Sequence, residues 1–195
     1  NKLNNNVSVP DLKELLSIYE EKWIDEWYLS KQQREKYFSE GRKMLIEFYN
    51  SQKDNWTIPI VLEGDFKIKI KDYIISGRMD RIDKLENGTL HIIDYKTGKS
   101  KETAVGEEKE QLLLYQAAAA QLPRYVNIGA PGKLTLYYLK DNIQTDFIGK
   151  DSEIEKLQEK IVSAIEQIVS LDFKAKPEKH NCKNCHFKDI CEFKV

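Results

Sequence analysis

The sequence predicts an α/β fold in which a mixed central sheet, containing an antiparallel meander, is flanked by helices and followed by a cysteine-bearing C-terminal tail. Hydrophobic residues recur every three or four positions near both ends of the chain, a spacing typical of amphipathic helices. Between residues 57 and 98 the period changes to two, which is typical of strands. Two further alternating segments follow a third helical segment.

Two helices are predicted before the strands. Residues 10–29 carry apolar side chains at helical steps after a proline suited to a first turn, namely Leu12, Leu15, Leu16, Tyr19, Trp23 and Trp27. Residues 32–49 place apolar side chains on one face and charged side chains opposite. We expect the two helices to pair, with Trp23 and Trp27 in the core rather than stacked on nucleic-acid bases, which is the alternative for such rings.

Three antiparallel strands are predicted next. After residue 57, apolar residues ending in Phe66, Ile68 and Ile70 alternate with Lys67, Lys69 and Lys71, which indicates a half-exposed strand. Lysines on one face are typical of an edge strand, where they discourage pairing between sheets. Residues 73–86 and 89–97 form the next two strands, and Asn87-Gly88 between them predicts a two-residue hairpin turn.

The rest of the chain predicts a helix, two strands and a last helix. Residues 107–122 are rich in alanine, leucine, glutamate and glutamine, and Pro123 marks the end of that helix. Residues 133–140 and 142–148 alternate as strands, and residues 152–171 form the last helix. The apolar stripe of this helix consists of Ile154, Leu157, Ile161, Ile165 and Ile168.

Length and charge limit the classes of protein to which the chain can belong. With 195 residues, we expect one compact domain comprising an N-terminal helical segment at 1–55, a core at 56–175 and a tail at 176–195. The formal net charge of −1 excludes a global positive field, so any nucleic-acid contact must be local. No apolar run approaches the roughly 20 residues of a membrane helix, and a soluble cytoplasmic protein without a membrane partner is expected.

Two carboxylates and a lysine lie on the second and third predicted strands, at Asp80, Asp94 and Lys96. Residues two apart on a strand point to the same face, so Asp94 and Lys96 project together. The predicted turn lies about midway between Asp80 and Asp94, so the hairpin is expected to bring these like charges close. Alone, Asp94 and Lys96 are equally consistent with an ordinary salt bridge on a strand.

A hard divalent ion such as Mg2+ or Mn2+ suits a pair of carboxylates, because it prefers oxygen ligands and commonly binds through one or two of them. Such an ion polarises a phosphodiester oxygen and lowers the pKa of bound water, while Lys96 orients that water or stabilises the oxyanion. The three residues therefore indicate phosphodiester hydrolysis.

The stretches GRMDRID, IIDYKTGK and QLLLY resemble successive motifs of the RecB-like branch of the PD-(D/E)XK nucleases, which includes AddB-type and CRISPR-associated exonucleases. The resemblance covers roughly residues 40–195. It implies a restriction-endonuclease-like core, Asp80 and Asp94 as metal ligands, and Lys96 as the catalytic lysine. The following helix supplies Gln111 and Tyr115 to the same site.

The resemblance also implies a function. It points to a Mg2+- or Mn2+-dependent deoxyribonuclease, an exonuclease acting on DNA in repair or recombination and attached to a helicase-like region or subunit. Glu63 resembles the glutamate that precedes the first core strand and is a weaker candidate metal ligand. Arg78 and Arg81 flank Asp80, and we expect both to be solvated, with contact to a phosphate backbone as the alternative.

One position departs from the family pattern. Many RecB-like nucleases carry a metal-binding histidine shortly after a glycine on the helix before the sheet, but no histidine follows Gly41 here. Glu47 is the nearest potential ligand on that helix. The alternative hypothesis is therefore a catalytically weak or inactive module that binds DNA or a partner protein.

All three cysteines fall in the tail, at Cys182, Cys185 and Cys191, and their clustering favours a bound metal or cluster over disulfides. They resemble the last three ligands of the 4Fe-4S cluster in AddB-type and CRISPR-associated relatives, whose fourth ligand lies far upstream. We therefore expect the chain to be part of a longer protein and the cluster to be incomplete here. Zinc, bound by the cysteines and His180 or His186, is the rival.

Overall fold

The structure is a computed structural model that describes residues 10–171, 173–183 and 185–195. The chain divides into two compact units, residues 1–157 and residues 158–195. In chain order, the elements are α1 Leu12–Lys22, α2 Lys31–Gln52, β1 Val61–Ile70, β2 Tyr73–Lys84, β3 Leu90–Lys96, α3 Gly106–Gln121, α4 Pro123–Val126, β4 Pro131–Tyr138, β5 Ile143–Phe147, α5 Asp151–Val169 and α6 Lys179–Lys183.

The five strands form one mixed sheet in the order β1-β2-β3-β4-β5. β1, β2 and β3 are antiparallel neighbours, β3 and β4 are parallel, and β4 and β5 are antiparallel. A parallel pair needs a crossover, which α3 and α4 supply. The predicted α/β class, with a mixed sheet, an antiparallel meander and flanking helices, is confirmed.

Helices cover both faces of the sheet. Phe48 of α2 packs edge-to-face on Tyr95 and Tyr137, with ring centroids 6.0 and 5.4 Å away. On the opposite face, Tyr138 donates a 2.9 Å hydrogen bond to Glu108 of α3. Successive residues of a strand point to opposite faces, so α2 and α3 lie on different sides. The core therefore has two layers, one on each side of β3 and β4.

The strand β1 lies at the edge of the sheet. Phe66, Ile68 and Ile70 are almost completely buried, and the lysines between them are exposed. The predicted alternation is therefore present.

The first helix is shorter than its hydrophobic pattern predicts, because it ends at Lys22 rather than near residue 29. Trp23 adopts an extended backbone, and its ring stacks on Tyr28 with an interplanar angle of 7°. Trp27 has a φ of 66° and is 90% exposed, so the prediction that Trp27 packs in the core is wrong. Tyr19 therefore belongs to the helix, whereas Trp23 and Tyr28 lie in a segment where the chain reverses direction.

The connection between β2 and β3 is longer than a two-residue turn. Gly88 N donates to Leu85 O at 2.9 Å, and Leu85 N donates to Thr89 O at 2.9 Å, so the loop spans residues 85–89. Gly88 has a φ of 83°, a conformation that glycine adopts without the steric cost other residues incur. The hairpin is where the sequence predicts it, but its turn is of the longer type.

The second unit contains the C-terminal part of α5 and the short helix α6. Ile168 is 57% exposed, so the predicted apolar stripe of α5 ends before it. Within the described parts of the chain, no helix is both long enough and apolar enough to span a bilayer.

Candidate active site at the junction of the first three strands

The register of the sheet places Asp80 and Asp94 opposite each other. Arg81 pairs with Ile93 and Ile82 with Ile92, so the next position along the antiparallel ladder sets Asp80 against Asp94. Asp80 Oδ2 accepts a 2.9 Å hydrogen bond from Tyr95 N, which fixes the carboxylate against β3. The hairpin thus brings together the two carboxylates that the sequence predicts as partners.

The carboxylate of Asp94 is deeply buried, with 2% of the residue exposed. Burial raises the pKa of this carboxyl, the charges of Asp80 and Glu108 add to the rise, and Lys96 opposes it. Lys96 Nζ lies 2.5 Å from Asp94 Oδ2, yet among the described residues Oδ2 has no partner with hydrogen-bond geometry. The Lys96 ammonium therefore offsets part of the cost of burying this carboxylate.

A chain of hydrogen bonds links Lys96 to the helix α3. Lys96 Nζ donates to Gln111 Oε1 at 2.7 Å, and Gln111 Nε2 donates to Tyr115 Oη at 2.7 Å. Tyr115 is 5% exposed, and its ring packs edge-to-face on Phe66 at 5.7 Å. The structure therefore brings Gln111 and Tyr115 to Lys96, on the helical face that their four-residue spacing predicts.

Glu108 and Tyr138 also border this site, and the sequence analysis did not identify them. Glu108 on α3 accepts a hydrogen bond from Tyr138 Oη at 2.9 Å and forms a 2.6 Å ion pair with Lys101. Burial and the Glu108 carboxylate raise the pKa of Tyr138 to about 12. Glu108 precedes Gln111 by one helical turn, so helical spacing from Gln111 is the signal that could have identified it.

Glu63 stands apart from the buried pair. It lies on β1 between the pairs Leu62–Arg81 and Gly64–Met79, which places it across from Asp80. Its φ of 49° is unusual for a residue with a side chain, and that side chain is 68% exposed and 3.9 Å from Arg78. Glu63 therefore lies within β1 rather than before it, and its side chain is directed to the surface.

The chemistry of the donor set fits a hard divalent ion. Asp80 and Asp94 supply two facing carboxylates, and Asp94 Oδ2, which has no partner with regular hydrogen-bond geometry among the described residues, already contacts one cation, the Lys96 ammonium at 2.5 Å. Among the described residues, no three His, Cys, Asp or Glu side chains converge as a metal-binding group. Binding through two carboxylates, with water in the other positions, is common for Mg2+.

The two arginines that flank Asp80 differ in their surroundings. Arg78 is exposed and forms a 2.8 Å ion pair with Asp65. Arg81 is held by Asp83 at 2.8 Å through two nitrogens and by Thr57 Oγ1 at 2.6 Å, and its side chain is only 12% exposed. The expectation that Arg81 is solvated is wrong, because its guanidinium satisfies a buried carboxylate.

The other predicted ligands are not gathered into a site. Glu47 on α2 is 3.7 Å from Lys43, its neighbour one turn earlier. Cys182, Cys185 and Cys191 are half-buried free thiols in the second unit. Neither the cysteines nor the tail histidines form a group of three ligands within the ranges that the structure describes.

Nearly the whole chain is similar to a known protein family. The family model of the PD-(D/E)XK nuclease superfamily matches residues 5–192. A solved structure, the crystal structure of SSO0001, shares 18% sequence identity, with 94% of this chain and 95% of that chain covered and a TM-score of 0.42. No curated protein sequence matches the chain.

Proposed function

The chain belongs to the PD-(D/E)XK nuclease superfamily, and on that premise we propose that it is a metal-dependent DNA nuclease whose reaction takes place at Asp80, Asp94 and Lys96. One observation carries this proposal. The buried Asp94 carboxylate lies beside a second carboxylate and 2.5 Å from a lysine that α3 holds in place.

The residues divide the work of phosphodiester hydrolysis. Asp80 and Asp94 would hold Mg2+ or Mn2+, which supplies positive charge at the phosphate and activates water. Lys96, oriented by Gln111, stabilises the negative charge that grows on the phosphoryl oxygens and orients the attacking water. The attacking water releases a proton to solvent as its oxygen bonds to phosphorus, the phosphorus–oxygen ester bond breaks, and the leaving oxygen takes up a proton from solvent.

The narrower assignment rests on the motif resemblance. We infer a RecB-like exonuclease of DNA repair or recombination that works beside a helicase-like region or subunit. In that setting Cys182, Cys185 and Cys191 would contribute ligands to a 4Fe-4S cluster completed elsewhere in a longer protein. Zinc is the alternative metal for the same cysteines.

A nuclease assay with matched variants tests the proposal. Labelled linear single- and double-stranded DNA is incubated in Mn2+ or Mg2+ with the parent chain, Asp94→Asn and Lys96→Gln. We expect each variant to lose at least about 100-fold in rate, because each loses a group that contacts the reacting phosphate or its metal. Asp72→Asn, which neutralises an exposed carboxylate in the turn after β1, is the control and should retain full activity.

Metal binding supplies a second readout. Mn2+ should raise the thermal unfolding midpoint of the parent chain and of Asp72→Asn, since a ligand that binds only the folded state stabilises it. Asp94→Asn should show no such increase. Equal degradation by Asp94→Asn and Asp72→Asn would refute the proposed site.

A binding module with weak or absent activity is the second candidate. Lys96 already occupies the position 2.5 Å from Asp94 Oδ2, and the helix before the sheet lacks the histidine of many relatives. On this hypothesis the parent chain binds the labelled DNA and leaves it intact in both metals. Degradation that depends on Asp94 decides against it.

A further inference from the structure

An open groove of about 850 Å³ runs along β1 and β2 to the start of α4. Its lining comprises Asp65, Phe66, Lys67, Ser76, Gly77, Arg78, Leu122, Pro123 and Arg124. Nothing in the proposed hydrolytic chemistry uses this groove. Its size lies within the range of protein cavities that bind ligands.

The groove is more positively charged than the chain as a whole. Lys67, Arg78 and Arg124 are cationic and Asp65 is the acidic residue of the lining, whereas the full chain has a formal net charge of −1. Because the whole protein is nearly neutral, only such a local excess of positive charge can attract nucleic acid.

The three cationic side chains are available to a ligand. Arg78 pairs with Asp65 at 2.8 Å, but its side chain is 57% exposed, and exposed ion pairs contribute little and exchange partners readily. Arg124 donates to the main-chain oxygen of Asp65 and lies 4.6 Å above the Tyr125 ring, which positions its guanidinium at the groove wall. Lys67 is exposed and has no acidic side chain within 4.0 Å among the described residues.

The groove adjoins the candidate active site. Arg78 lies two residues, roughly 7 Å along the strand, from Asp80. Phe66 lines the groove and packs against Tyr115, which belongs to the hydrogen-bond chain of Lys96. A strand whose phosphate reached Asp80 could therefore continue along the groove.

We propose that this groove binds the phosphate backbone of the single DNA strand on which the site acts, a proposal that rests on the proposed nuclease function. Lys67, Arg78 and Arg124 contact successive phosphates, and the apolar wall at Leu122 and Pro123 lies against the sugars. An unpaired strand can turn its bases as well as its sugars toward an apolar wall, whereas a duplex keeps its bases stacked inside. Contacts to phosphates carry no sequence information, so we expect binding to be independent of sequence.

The simplest alternative is that Lys67 is only one of several lysines that protect an edge strand. The strand itself provides the control, because Lys69 is also exposed and lies on the same strand but does not line the groove. Lys67→Gln and Lys69→Gln make the same chemical change at neighbouring positions.

Binding is measured by fluorescence anisotropy with a labelled single-stranded oligonucleotide in EDTA, where no cleavage occurs. We expect Lys67→Gln and Arg124→Gln each to weaken binding about 3- to 10-fold. The slope of log affinity against log salt should fall by about 0.7 for each phosphate that the variant leaves without a cationic partner. Lys69→Gln should bind as the parent does, and thermal unfolding of each variant verifies that the fold is intact.

The outcome for the groove is separable from the outcome for the nuclease. The groove proposal is overturned if Lys67→Gln and Arg124→Gln bind as tightly as Lys69→Gln, even if Asp94-dependent degradation is found. No binding by the parent chain would also overturn it. Weakened binding in the two variants supports the groove, even if the parent degrades no DNA and the nuclease proposal fails.

Discussion

At the scale of single residues, the side chains that form the candidate site differ in how far the sequence reveals them. Asp80, Asp94 and Lys96 are located by strand alternation and a hairpin, but these features leave the exact register open. A two-residue turn at Asn87-Gly88 would set Arg81 against Asp94, and the longer loop at residues 85–89 sets Asp80 there instead. Glu108 could not be chosen this way, since it meets Tyr138 of β4, whose register the sequence does not specify. Glu63 is exposed and has a φ of 49°, and no sequence pattern predicts this backbone conformation.

The link between Lys96 and α3 leads to a prediction for Gln111. Gln111→Leu removes the acceptor that lies 2.7 Å from Lys96 Nζ, so the ammonium is no longer held beside Asp94. We expect kcat for DNA degradation to fall about 10- to 100-fold with little change in KM, as is usual when a supporting partner of an active-site group is removed.

The control for this change is Gln121→Leu, at the exposed end of the same helix. It should degrade DNA at the parent rate. A Gln111→Leu enzyme with unchanged kcat would show that Lys96 needs no orientation by α3.

At the scale of elements, periodicity locates the helices and strands well and their ends less well. The pattern of α1 continues through Trp23 and Trp27, but the chain leaves the helix at Lys22 and returns so that Trp23 stacks on Tyr28. Aromatic contacts made after this reversal replace a helical turn, and neither glycine nor proline marks the position. The loop at residues 85–89 is likewise longer than the Asn87-Gly88 dipeptide predicts, and it closes through backbone hydrogen bonds of Leu85.

At position 77, the packing of β2 against β1 leaves room only for glycine. A Cβ atom on Gly77 would lie 2.7 Å from two atoms of the Phe66 ring, and Phe66 is 2% exposed. Gly77→Ala therefore forces a buried ring to move, and we expect the free energy of unfolding to fall by about 1–3 kcal/mol. Because Phe66 packs on Tyr115, DNA degradation should decrease as well.

Chemical denaturation measures this effect, and Gly98→Ala is the control, since a Cβ there meets no described residue within 4 Å. The control should stay within about 0.5 kcal/mol of the parent. Equal stability of the two variants would mean that the Phe66 ring shifts without cost.

At the scale of the whole molecule, the order of the strands is only partly contained in the sequence. The antiparallel meander follows from short connections, whereas the parallel pairing of β3 with β4 depends on where α3 and α4 return the chain. This pairing places Asp94 beside Leu136 and Lys96 beside Tyr138, and so buries the site against α3. Burial of Asp94 is therefore a property of the whole sheet.

The same sheet buries a histidine, which makes the stability of the molecule depend on pH. His91 Nε2 lies 2.6 Å from Thr135 Oγ1, which donates to Asp146 at 2.6 Å, so one polar chain crosses β3, β4 and β5. Burial lowers the pKa of His91 to about 4, with Lys133 and Arg81 adding to the decrease and Asp83 and Asp146 opposing it. The folded protein therefore keeps this imidazole neutral at pH values where the unfolded chain protonates it.

The sign of the effect follows from proton linkage. Between about pH 6.5 and pH 4 the unfolded chain binds one more proton at His91 than the folded chain, so the free energy of unfolding decreases as the pH falls through this window. At the low end of this window the free energy of unfolding has decreased by about 3 kcal/mol, on the order of 1.4 kcal/mol per pH unit. His91→Gln removes the titration and keeps a polar group near Thr135, so its stability should decline less steeply than that of the parent. Chemical denaturation at each pH measures this effect. The control is His186→Gln, which removes an exposed imidazole and should follow the parent curve. Parallel curves for all three proteins would show that His91 takes up its proton equally in the folded and unfolded states.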